Sequence, residues 1–342
     1  QYDQVFGYPA PPSFKVSPIG PYNPNLGTPL NWAGEIDLDV QVSHAMAPGA
    51  NIILYAANGE LPLSSAVARV VQDGTANVVS QSFGLPEWEY YEQGAAGFLF
   101  NSIFVDDYYM LGTAMGMSFF ASTGDGGGSG FSAGPMGGAE YPSTSPYVTA
   151  LGGTSTYVST SSGGGLSVNQ TAWSNIGFVP YFVNEGGSGG GVSVLEPKPW
   201  YQGSLQVPAS FPNGRMAPDL SLDASGTPGS FIIDEGSPIA IGGTSESSPL
   251  FAGIATLLMG AEKGNLGLLN PVLYQLAGNT KTYQTAFTPI TFGYTIPWVS
   301  KLGYNLATGW GAPNVGELAS LYASNESSSL TVDVGILNAG TS

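Results

Sequence analysis

The sequence contains no cysteine, a single histidine and only seven lysine or arginine residues among 342. Without cysteine the protein has neither a disulfide framework nor thiol chemistry. The few cations are scattered and are outnumbered by 24 acidic residues, which gives a net charge of −17. This excludes a nucleic-acid-binding protein, because phosphate groups require clustered cations. The longest uncharged apolar stretch with a helical pattern, residues 247–260, is about 14 residues long, short of the roughly 20 that span a bilayer. The sequence therefore predicts no transmembrane segment.

The scarcity of positive charge also bears on the medium in which the protein works. At very low pH the carboxyl groups are neutral, and the few basic side chains repel one another only weakly. The composition therefore favours an extracellular protein, secreted or attached to a cell surface, in an acidic medium. The chain begins at Gln1 without methionine or an apolar signal segment. We therefore expect it to come from a longer precursor, whose upstream segment would be one of its partners.

The chain does contain 50 glycine and 26 proline residues, but 42% hydrophobic and 12% aromatic residues are too many for a disordered chain. Beyond residue 50, short apolar runs alternate with helical patterns. The apolar runs cover residues 51–56, 76–83 and 117–122, and the helical patterns cover 63–72, 87–116 and 249–260. This alternation predicts an α/β fold with a mostly parallel central sheet and helices on both faces.

We expect residues 1–322 to form one domain. Within it, residues 1–33 are predicted to be an extended lead-in, and the Gly/Ser-rich stretch 152–193 a long irregular region interrupted by possible strands. In residues 323–342 a Ser-rich patch precedes an alternating apolar pattern, which we interpret as a linker and the start of a further β module.

The first candidate for chemistry is a pair of acidic residues, Glu35 and Asp39. If residues 34–44 form a helix, these two carboxylates lie on one face, whereas Asp37 points away. Two carboxylates so placed raise each other's proton affinity and form a coupled acid/base pair. The alternative is a pair of solvated acids in the first turn of a helix, where the helix dipole stabilises them.

The second candidate is Asp125, which follows the apolar run 117–122 in a glycine-rich loop. Ligands of open parallel sheets bind outside the carboxyl ends of the strands, where this residue is expected. The alternative is an ordinary aspartate in a turn.

The third candidate is Ser245, between two glycines and an apolar helix. Backbone N–H groups of such a turn and the helix N-terminus stabilise negative charge that develops on a substrate oxygen. The alternative is an N-cap serine. His44, the one histidine, lies about 180° around the same helix from Glu35. A Ser–His–Asp triad is therefore not expected, and the base for a nucleophilic Ser245 would be a carboxylate.

These segments resemble the sedolisins, or serine-carboxyl peptidases, relatives of subtilisin that act in acid. The resemblance covers roughly residues 4–318. It rests on Glu35-x-x-x-Asp39 with residues 44–50 (HAMAPGA), on 80–84 (SQSFG), 122–126 (STGDG), 141–154, 188–193 (SGGGVS) and 217–221 (APDLS), and on Gly243-Thr244-Ser245-x-x-x-Pro249.

The resemblance implies a role for each of the four candidates. Ser245 would attack the carbonyl carbon, Glu35 would act as general base and then general acid, and Asp39 would orient Glu35 and share its proton. Asp125, when protonated, would donate to the oxyanion. The resemblance also implies four substrate-binding residues, which are Ser82, Phe83, Gly84 and Gly190. Glu246, beside Ser245 where the family has a small residue, is interpreted as an acid that stabilises the first helical turn. Asp219 and Asp223 are interpreted as structural residues of turns.

The sequence departs from the family in two respects. Pro289 and Asn305 stand where the family has the Asp ligands of a Ca²⁺ ion, and no acidic residue lies between Glu262 and Glu317. We therefore expect the calcium site to be lost and no cofactor to be bound. The family's peptidase domain also begins with a further strand and turn upstream of the segment that resembles residues 3–9, and we expect that first strand to be missing here.

The function predicted from the sequence is an acid-acting serine endopeptidase with protein or peptide substrates. Alternatives are a catalytically silent surface or filament scaffold that retains the fold, and a carbohydrate-binding surface protein suggested by aromatic residues. Asn169 and Asn325 begin Asn-x-Ser/Thr patterns in Ser/Thr-rich stretches of the sequence, which we expect to form loops. Both are predicted N-glycosylation sites.

Overall fold

Strands and helices alternate along the chain in the computed structural model, which describes residues 1–20, 32–57, 63–87, 102–129, 138–160, 163–174, 186–262 and 264–326. Eight α-helices lie in these ranges: α1 (Tyr2–Phe6), α2 (Ala33–Met46), α3 (Ser64–Asp73), α4 (Ser102–Ala114), α5 (Thr244–Glu262), α6 (Asn270–Ala277), α7 (Thr280–Ala286) and α8 (Val315–Glu326). The strands up to the middle of the chain are β1 (Phe14–Ile19), β2 (Ile52–Ala57), β3 (Val78–Gln81), β4 (Leu85–Pro86), β5 (Ser118–Ser122), β6 (Glu140–Tyr141), β7 (Val148–Thr160) and β8 (Leu166–Ala172). The later strands are β9 (Gly191–Pro197), β10 (Gly214–Ala217), β11 (Leu220–Asp223), β12 (Ser230–Asp234), β13 (Ser237–Ile241), β14 (Phe287–Thr288), β15 (Tyr294–Thr295), β16 (Trp298–Val299) and β17 (Ala312–Pro313).

The central sheet consists of four parallel strands in the order β11, β7, β5, β3, and β8 adds an antiparallel partner to β7. Its strands are short apolar runs because both faces are covered. Phe119 and Phe120, adjacent in β5, point to opposite faces and are both buried. The α/β class predicted from alternating runs is therefore confirmed.

A separate apolar core covers each face of the sheet. On one face Phe120 packs against Phe251 of α5, with ring centroids 5.1 Å apart. On the other face Phe119 packs against Tyr109 of α4, 5.0 Å away, and against Val71 of α3. Burying each such ring contributes about 1.5–3 kcal/mol. This double-sided packing fixes β5, and hence the loop that follows it.

Helices α2 and α5 lie side by side. Gly253 of α5 allows this close approach, because a Cβ atom there would lie 2.4 Å from Cβ of Met46 and 3.2 Å from the carbonyl oxygen of Ser43. A larger side chain at this position would push the two helices apart, at a cost of roughly 1–3 kcal/mol. The crossing brings the first turn of α2 next to the first turn of α5.

Two boundaries differ from those predicted. The segment expected as an extended lead-in contains α1 and strand β1, which pairs with β2 in parallel. Helix α8 continues to Glu326, past the expected start of the linker at residue 323. Helix α4 (Ser102–Ala114) lies within the helical region predicted in residues 87–116, of which 88–101 are outside the described residues. The predicted β module falls on residues 327–342, outside the described residues. None of the described helices is long and apolar enough to span a membrane.

Candidate active site

Two loops meet at the carboxyl edge of the central sheet. Strand β3 ends at Gln81 and is followed by Ser82, and β5 ends at Ser122 and leads to Asp125. Because parallel strands end at the same edge, their pairing brings Ser82 and Asp125 to one side of the sheet. The loop after β5 is fixed by a hydrogen bond from Thr123 N to the carbonyl oxygen of Leu151, 3.1 Å.

Ser245 lies in the first turn of α5 and is partly exposed. Since α5 begins at Thr244, Ser245 is inside the helix and does not serve as its N-cap. The nearby Ser247 and Ser248 are fully buried, and their hydroxyl groups bond to Leu222 N at 3.1 Å and to Ser80 Oγ at 3.0 Å. Of these three serines, therefore, Ser245 is the one that a substrate can reach.

Gly243, just before α5, has a φ of 106°, in the left-handed region that favours glycine. A Cβ atom at this position would lie 2.7 Å from Oδ2 of Asp125. The glycine therefore allows the loop after β5 to approach the N-terminus of α5.

Glu35 and Asp39 occupy one face of α2 and form an electrostatically coupled pair. The pKa of Glu35 is raised to about 7, mainly by burial and also by the charge of Asp125, although hydrogen bonds with the Ser245 and Ser82 hydroxyl groups oppose the rise. Burial and the charge of Glu35 raise the pKa of Asp39 well above its usual range. Oε1 of Glu35 is buried and has no hydrogen-bond partner within the described part of the chain. Such a pair retains a proton far above the usual carboxyl range, which contradicts the alternative of two solvated acids.

The hydroxyl group of Ser82 connects α2 with α5. Its Oγ donates to Oδ1 of Asp39 at 2.5 Å and lies 3.2 Å from the carbonyl oxygen of Ser245. It also hydrogen-bonds to Glu35, whose pKa it lowers. Ser82 is 7% exposed. Its hydroxyl group therefore points at the carboxyl pair, and contact of Ser82 with substrate stays a prediction.

Asp125 is bound to the residue that precedes Ser245. Its Oδ1 accepts hydrogen bonds from Thr244 N at 2.7 Å and from Thr244 Oγ1 at 2.9 Å. Burial nevertheless raises the pKa of Asp125, and the two bonds from Thr244 only partly oppose the rise. Both bonds go to Oδ1, so Oδ2 is the oxygen on which a proton could be held.

Asp37 and His44 lie away from this constellation, as their helical spacing predicts. Asp37 faces Gln41 and Asp234. His44 Nε2 lies 3.0 Å from the carbonyl oxygen of Pro9 and 3.1 Å from Oδ1 of Asp3. The imidazole therefore binds the N-terminal segment, not Ser245.

The other three predicted substrate-binding residues have different surroundings. Phe83 is partly buried and packs at the edge of the core that contains Tyr109. Gly84 lies against Glu140, where a Cβ atom would be 3.0 Å from Oε2. Gly190 is buried, and its carbonyl oxygen accepts a hydrogen bond from Trp298 Nε1 at 3.1 Å. Contact of Phe83, Gly84 and Gly190 with substrate stays a prediction.

Asp219 and Asp223 have structural partners. Asp219 is fully buried and forms an ion pair with Arg215, with Nη2 2.6 Å from Oδ2. Its Oδ2 also accepts from Ala150 N at 2.7 Å, so it links two strands of the sheet region. Asp223 ends β11 and accepts a hydrogen bond from Thr156 N at 3.1 Å. Both contacts agree with the interpretation of these acids as structural.

Asn305, the position at which the resemblance implies a calcium ligand, has its side-chain amide hydrogen-bonded within its own loop. Its Oδ1 accepts from Ala307 N at 3.1 Å and from Thr308 N and Oγ1 at 3.0 and 3.1 Å. Its Nδ2 donates to the carbonyl oxygens of Lys301 and Gly303 at 3.1 and 3.3 Å. The carbonyl oxygens of Lys301 and Gly303 therefore face the N–H group of Asn305. Among the described residues, no group of three acidic, histidine or cysteine side chains is arranged to hold a metal ion. This donor set does not fit Ca²⁺.

The two predicted glycosylation acceptors lie in regular structure, not in loops. Asn169 is an exposed residue of β8, paired with Tyr157 of β7. Asn325 lies in the last turn of α8. The expectation that both occupy loops is wrong, because the Ser/Thr-rich stretches in which they lie form strand β8 and the end of α8.

Two contacts at the site were not predicted from the sequence, although Ser82 itself was expected to bind substrate. Thr244 binds Asp125 through both its backbone and its hydroxyl group, and Ser82 binds the carboxyl pair. Thr244 could have been suspected from its position beside Ser245. The direction of the Ser82 hydroxyl group has no signal in the sequence, because it depends on where α2 packs.

The chain is similar to known proteins in both sequence and fold. A model of the subtilase family, Peptidase_S8, matches residues 23–294. Kumamolisin from Bacillus sp. (strain MN-32) is 33% identical over 283 residues, which are 81% of this chain and 48% of that protein. Sedolisin from Pseudomonas sp. (strain 101) is 31% identical over 312 residues, 85% of this chain and 49% of that protein. The solved structure of Pseudomonas sedolisin, a serine-carboxyl proteinase complexed with pseudo-iodotyrostatin, has a TM-score of 0.77, is 28% identical, and covers 95% of this chain and 88% of its own.

The match to the family model and the subtilisin-like fold define the chain as a subtilase. Within this class it belongs to the sedolisin family, as its similarity to kumamolisin and sedolisin shows. The chain spans about half the length of the curated relatives it matches.

Proposed function

We propose that the protein is an acid-acting serine-carboxyl endopeptidase that hydrolyses peptide bonds of protein or peptide substrates. The observation that supports this most directly is the convergence of Glu35, Asp39, Asp125 and Ser245, which come from three distant segments, at one edge of the sheet. The membership in the sedolisin family supports the same reaction.

In the proposed reaction Ser245 is the nucleophile and the coupled carboxyl pair is its base. As Ser245 Oγ forms a bond to the carbonyl carbon of the substrate, its proton moves to Glu35, which hydrogen-bonds to it. Asp39 shares one proton with Glu35, so the pair carries about one negative charge before it takes the proton of Ser245 and is neutral afterwards. Glu35 then protonates the leaving amine, and water releases the acyl group by the reverse sequence.

Asp125 is proposed to stabilise the oxyanion. An ionised carboxylate would repel the negative oxygen of the tetrahedral intermediate, whereas a protonated Oδ2 donates a hydrogen bond to it. Burial raises the pKa of Asp125 and so favours the protonated form in acid. The bonds from Thr244 to Oδ1 support this role, because they hold the carboxyl group in place.

Acid operation and an extracellular location are parts of the proposal. The low content of cations limits charge repulsion at low pH. The raised pKa values of Glu35, Asp39 and Asp125 all favour protonated forms in acid. We also infer that the protein functions without bound calcium, since Asn305 takes the hydrogen bonds of the loop in which the family has its ion.

The proposal is tested by digestion of an unfolded protein substrate at pH 3–4 with the full chain. Replacing Ser245 by Ala should lower the rate at least about 10³-fold. Ser237→Ala, which changes an exposed serine of β13, is the matched control and should retain the wild-type rate. Asp125→Asn should retain part of the activity because an amide can still donate, and the activity of this variant should persist to higher pH.

Three results would contradict the proposal. They are no cleavage by the wild type, cleavage by Ser245→Ala at the wild-type rate, and an optimum at neutral pH with little activity in acid. Absence of cleavage by the folded wild-type chain would favour the alternative of a silent scaffold.

A further inference from the structure

Glu246, the residue after Ser245, is a buried acid that the proposed reaction does not use. It is 1% exposed, although it lies in the first turn of α5, where an acid can stabilise the helix dipole from the surface. Ser230 Oγ donates to its Oε1 at 2.5 Å. The backbone of Ser230 also hydrogen-bonds to the carboxyl group. Oε2 is buried without a hydrogen-bond partner in the described ranges. The main partner of Glu246 is therefore β12, not its own helix.

The hairpin formed by β12 and β13 also binds α2, the helix of Glu35 and Asp39. Gln41 Nε2 donates to the carbonyl oxygen of Ile233 at 2.8 Å, and Ile233 N donates to Gln41 Oε1 at 2.7 Å. Ile232 is buried with Leu38 and Val42 of α2. The hairpin is thus firmly attached to the helix that carries the carboxyl pair.

The same hairpin contacts α5 at two points. Leu250 supplies an apolar contact one turn beyond the nucleophile. Glu246 supplies the polar contact, directly beside Ser245. A chain of contacts therefore runs from α2 through the hairpin to the first turn of α5.

Glu246 has a charge state that suits this contact in acid. Its pKa is raised to about 8, mainly by burial and also by the charge of Asp223 on β11, although the hydrogen bonds from Ser230 oppose the rise. Burial likewise raises the pKa of Asp223, to about 6. Among the described residues, Asp223 is the titratable group whose charge raises the pKa of Glu246, and no cation among them opposes this effect. Glu35, Asp39 and Asp125 face Ser245 from the other side. At the acid pH of the proposed reaction Glu246 is neutral, and it can remain buried at little cost.

We propose that Glu246 is a positioning residue whose buried carboxyl group joins the β12–β13 hairpin, and with it α2, to the first turn of α5, so that Ser245 faces Glu35 and Asp39. The inference rests on the proposed function, because it assigns Glu246 a role in presenting the nucleophile. It also implies that ionisation of Glu246 above about pH 8 favours opening of this buried contact, because the cost of a buried charge beside Asp223 outweighs the gain from the Ser230 hydrogen bonds.

The activity test compares substitutions of Glu246 at pH 4. Glu246→Ala should lower kcat about 10- to 100-fold with KM changed less than about threefold, because a displaced nucleophile slows the chemical step more than binding. Glu246→Gln keeps the acceptor oxygen for Ser230 and should retain kcat within about threefold. Glu317→Ala is the matched control, since Glu317 is an exposed acid in the first turn of α8. It should leave kcat unchanged.

A double substitution tests whether Ser230 and Glu246 act together. Ser230→Ala should lower kcat, and Ser230→Ala combined with Glu246→Ala should be no slower than Glu246→Ala alone. Ser237→Ala on the same hairpin should have no effect. Wild-type kcat in Glu246→Ala, or an equal loss of kcat in Glu246→Gln and Glu246→Ala, would overturn the inference while leaving the proposed function intact.

Hydrogen exchange separates the two proposals, because it needs no activity. The amides of β12 should exchange at least about tenfold faster in Glu246→Ala than in the wild type at pH 4, and Glu246→Gln should resemble the wild type. In the wild type, protection corrected for the intrinsic pH dependence should fall above about pH 8, and in Glu246→Gln it should not. Unchanged exchange of β12 in Glu246→Ala would overturn the inference. If the wild type does not cleave peptides but β12 responds as expected, only the proposed function is wrong.

Discussion

Replacing Glu196 by Gln is expected to stabilise the protein near neutral pH and to leave it nearly unchanged in acid. Glu196 of β9 belongs to a second cluster of acids, with Asp106 of α4 and Glu87, away from Ser245. The pKa of Glu196 is raised to about 8, mainly by burial and also by the nearby Asp106 and Glu87, whereas Arg215 opposes the rise. The pKa of Asp106 is also raised, mainly by burial, although Tyr141 donates to its Oδ1 at 2.9 Å.

The sign of the effect follows from proton binding. Between the usual glutamate pKa of about 4.3 and the raised value of about 8, the folded protein binds a proton at Glu196 that the unfolded chain does not. The free energy of unfolding therefore falls as pH rises through this interval, and below pH 4 the residue has no effect.

The magnitude follows from the size of the shift. A rise of the pKa from about 4.3 to about 8 corresponds to at most about 5 kcal/mol, since each pH unit is worth about 1.36 kcal/mol. Because Glu196 is partly exposed, solvent screening reduces this to about 2–3 kcal/mol. For a chain of 342 residues, that change corresponds to a melting temperature higher by about 3–4 °C.

The assay is thermal unfolding at pH 4 and pH 8, carried out with Ser245→Ala as the background to prevent self-digestion. Glu317→Gln, which removes the same charge from an exposed site, is the control and should change the melting temperature by less than about 1 °C at either pH. The reasoning is refuted if Glu196→Gln fails to raise the melting temperature at pH 8, or raises it equally at pH 4.

Three further predictions concern other parts of the molecule. Ser82→Ala removes hydrogen bonds that lower the pKa of Glu35 and Asp39, so the fall of activity with rising pH should move to higher pH while kcat decreases, as a pH–rate profile would show. A chelator should leave the melting temperature unchanged, and a large decrease would contradict the inference that no calcium is bound. Asn305→Ala should lower the free energy of unfolding by about 2–4 kcal/mol, because the hydrogen bonds of the Asn305 side chain are lost. If the source glycosylates exported proteins, mass spectrometry of native material should find sugar on Asn169, and Asn169→Gln should remove it; unmodified native peptides would contradict the prediction.

Local sequence determined the main elements and the orientation of residues within one element. The run that contains Phe119 and Phe120 predicts a strand buried on both faces, and the structure confirms it. The spacing of Glu35 and Asp39 predicts one helical face with Asp37 and His44 elsewhere, and their contacts agree. Such relations depend only on the 3.6-residue period of a helix or the alternation of a strand, which a short segment fixes by itself.

Tertiary structure alone decided the relations between distant segments. Ser82 and Asp39, which hydrogen-bond to each other, are 43 residues apart in the sequence. Glu246 hydrogen-bonds to Ser230 in the β12–β13 hairpin, which also hydrogen-bonds to Gln41 of α2. The pairing of β1 with β2 depends in the same way on a distant partner, which is why residues 1–33 were wrongly expected to be an extended lead-in. The pKa values of Glu246 and Glu196 depend on which acidic side chains are buried close to one another in the folded protein. The sequence shows that these residues are acidic, but it does not show that they are buried. A side chain's spacing within an element is a local property, but its partners and its dielectric surroundings exist only once the elements have packed.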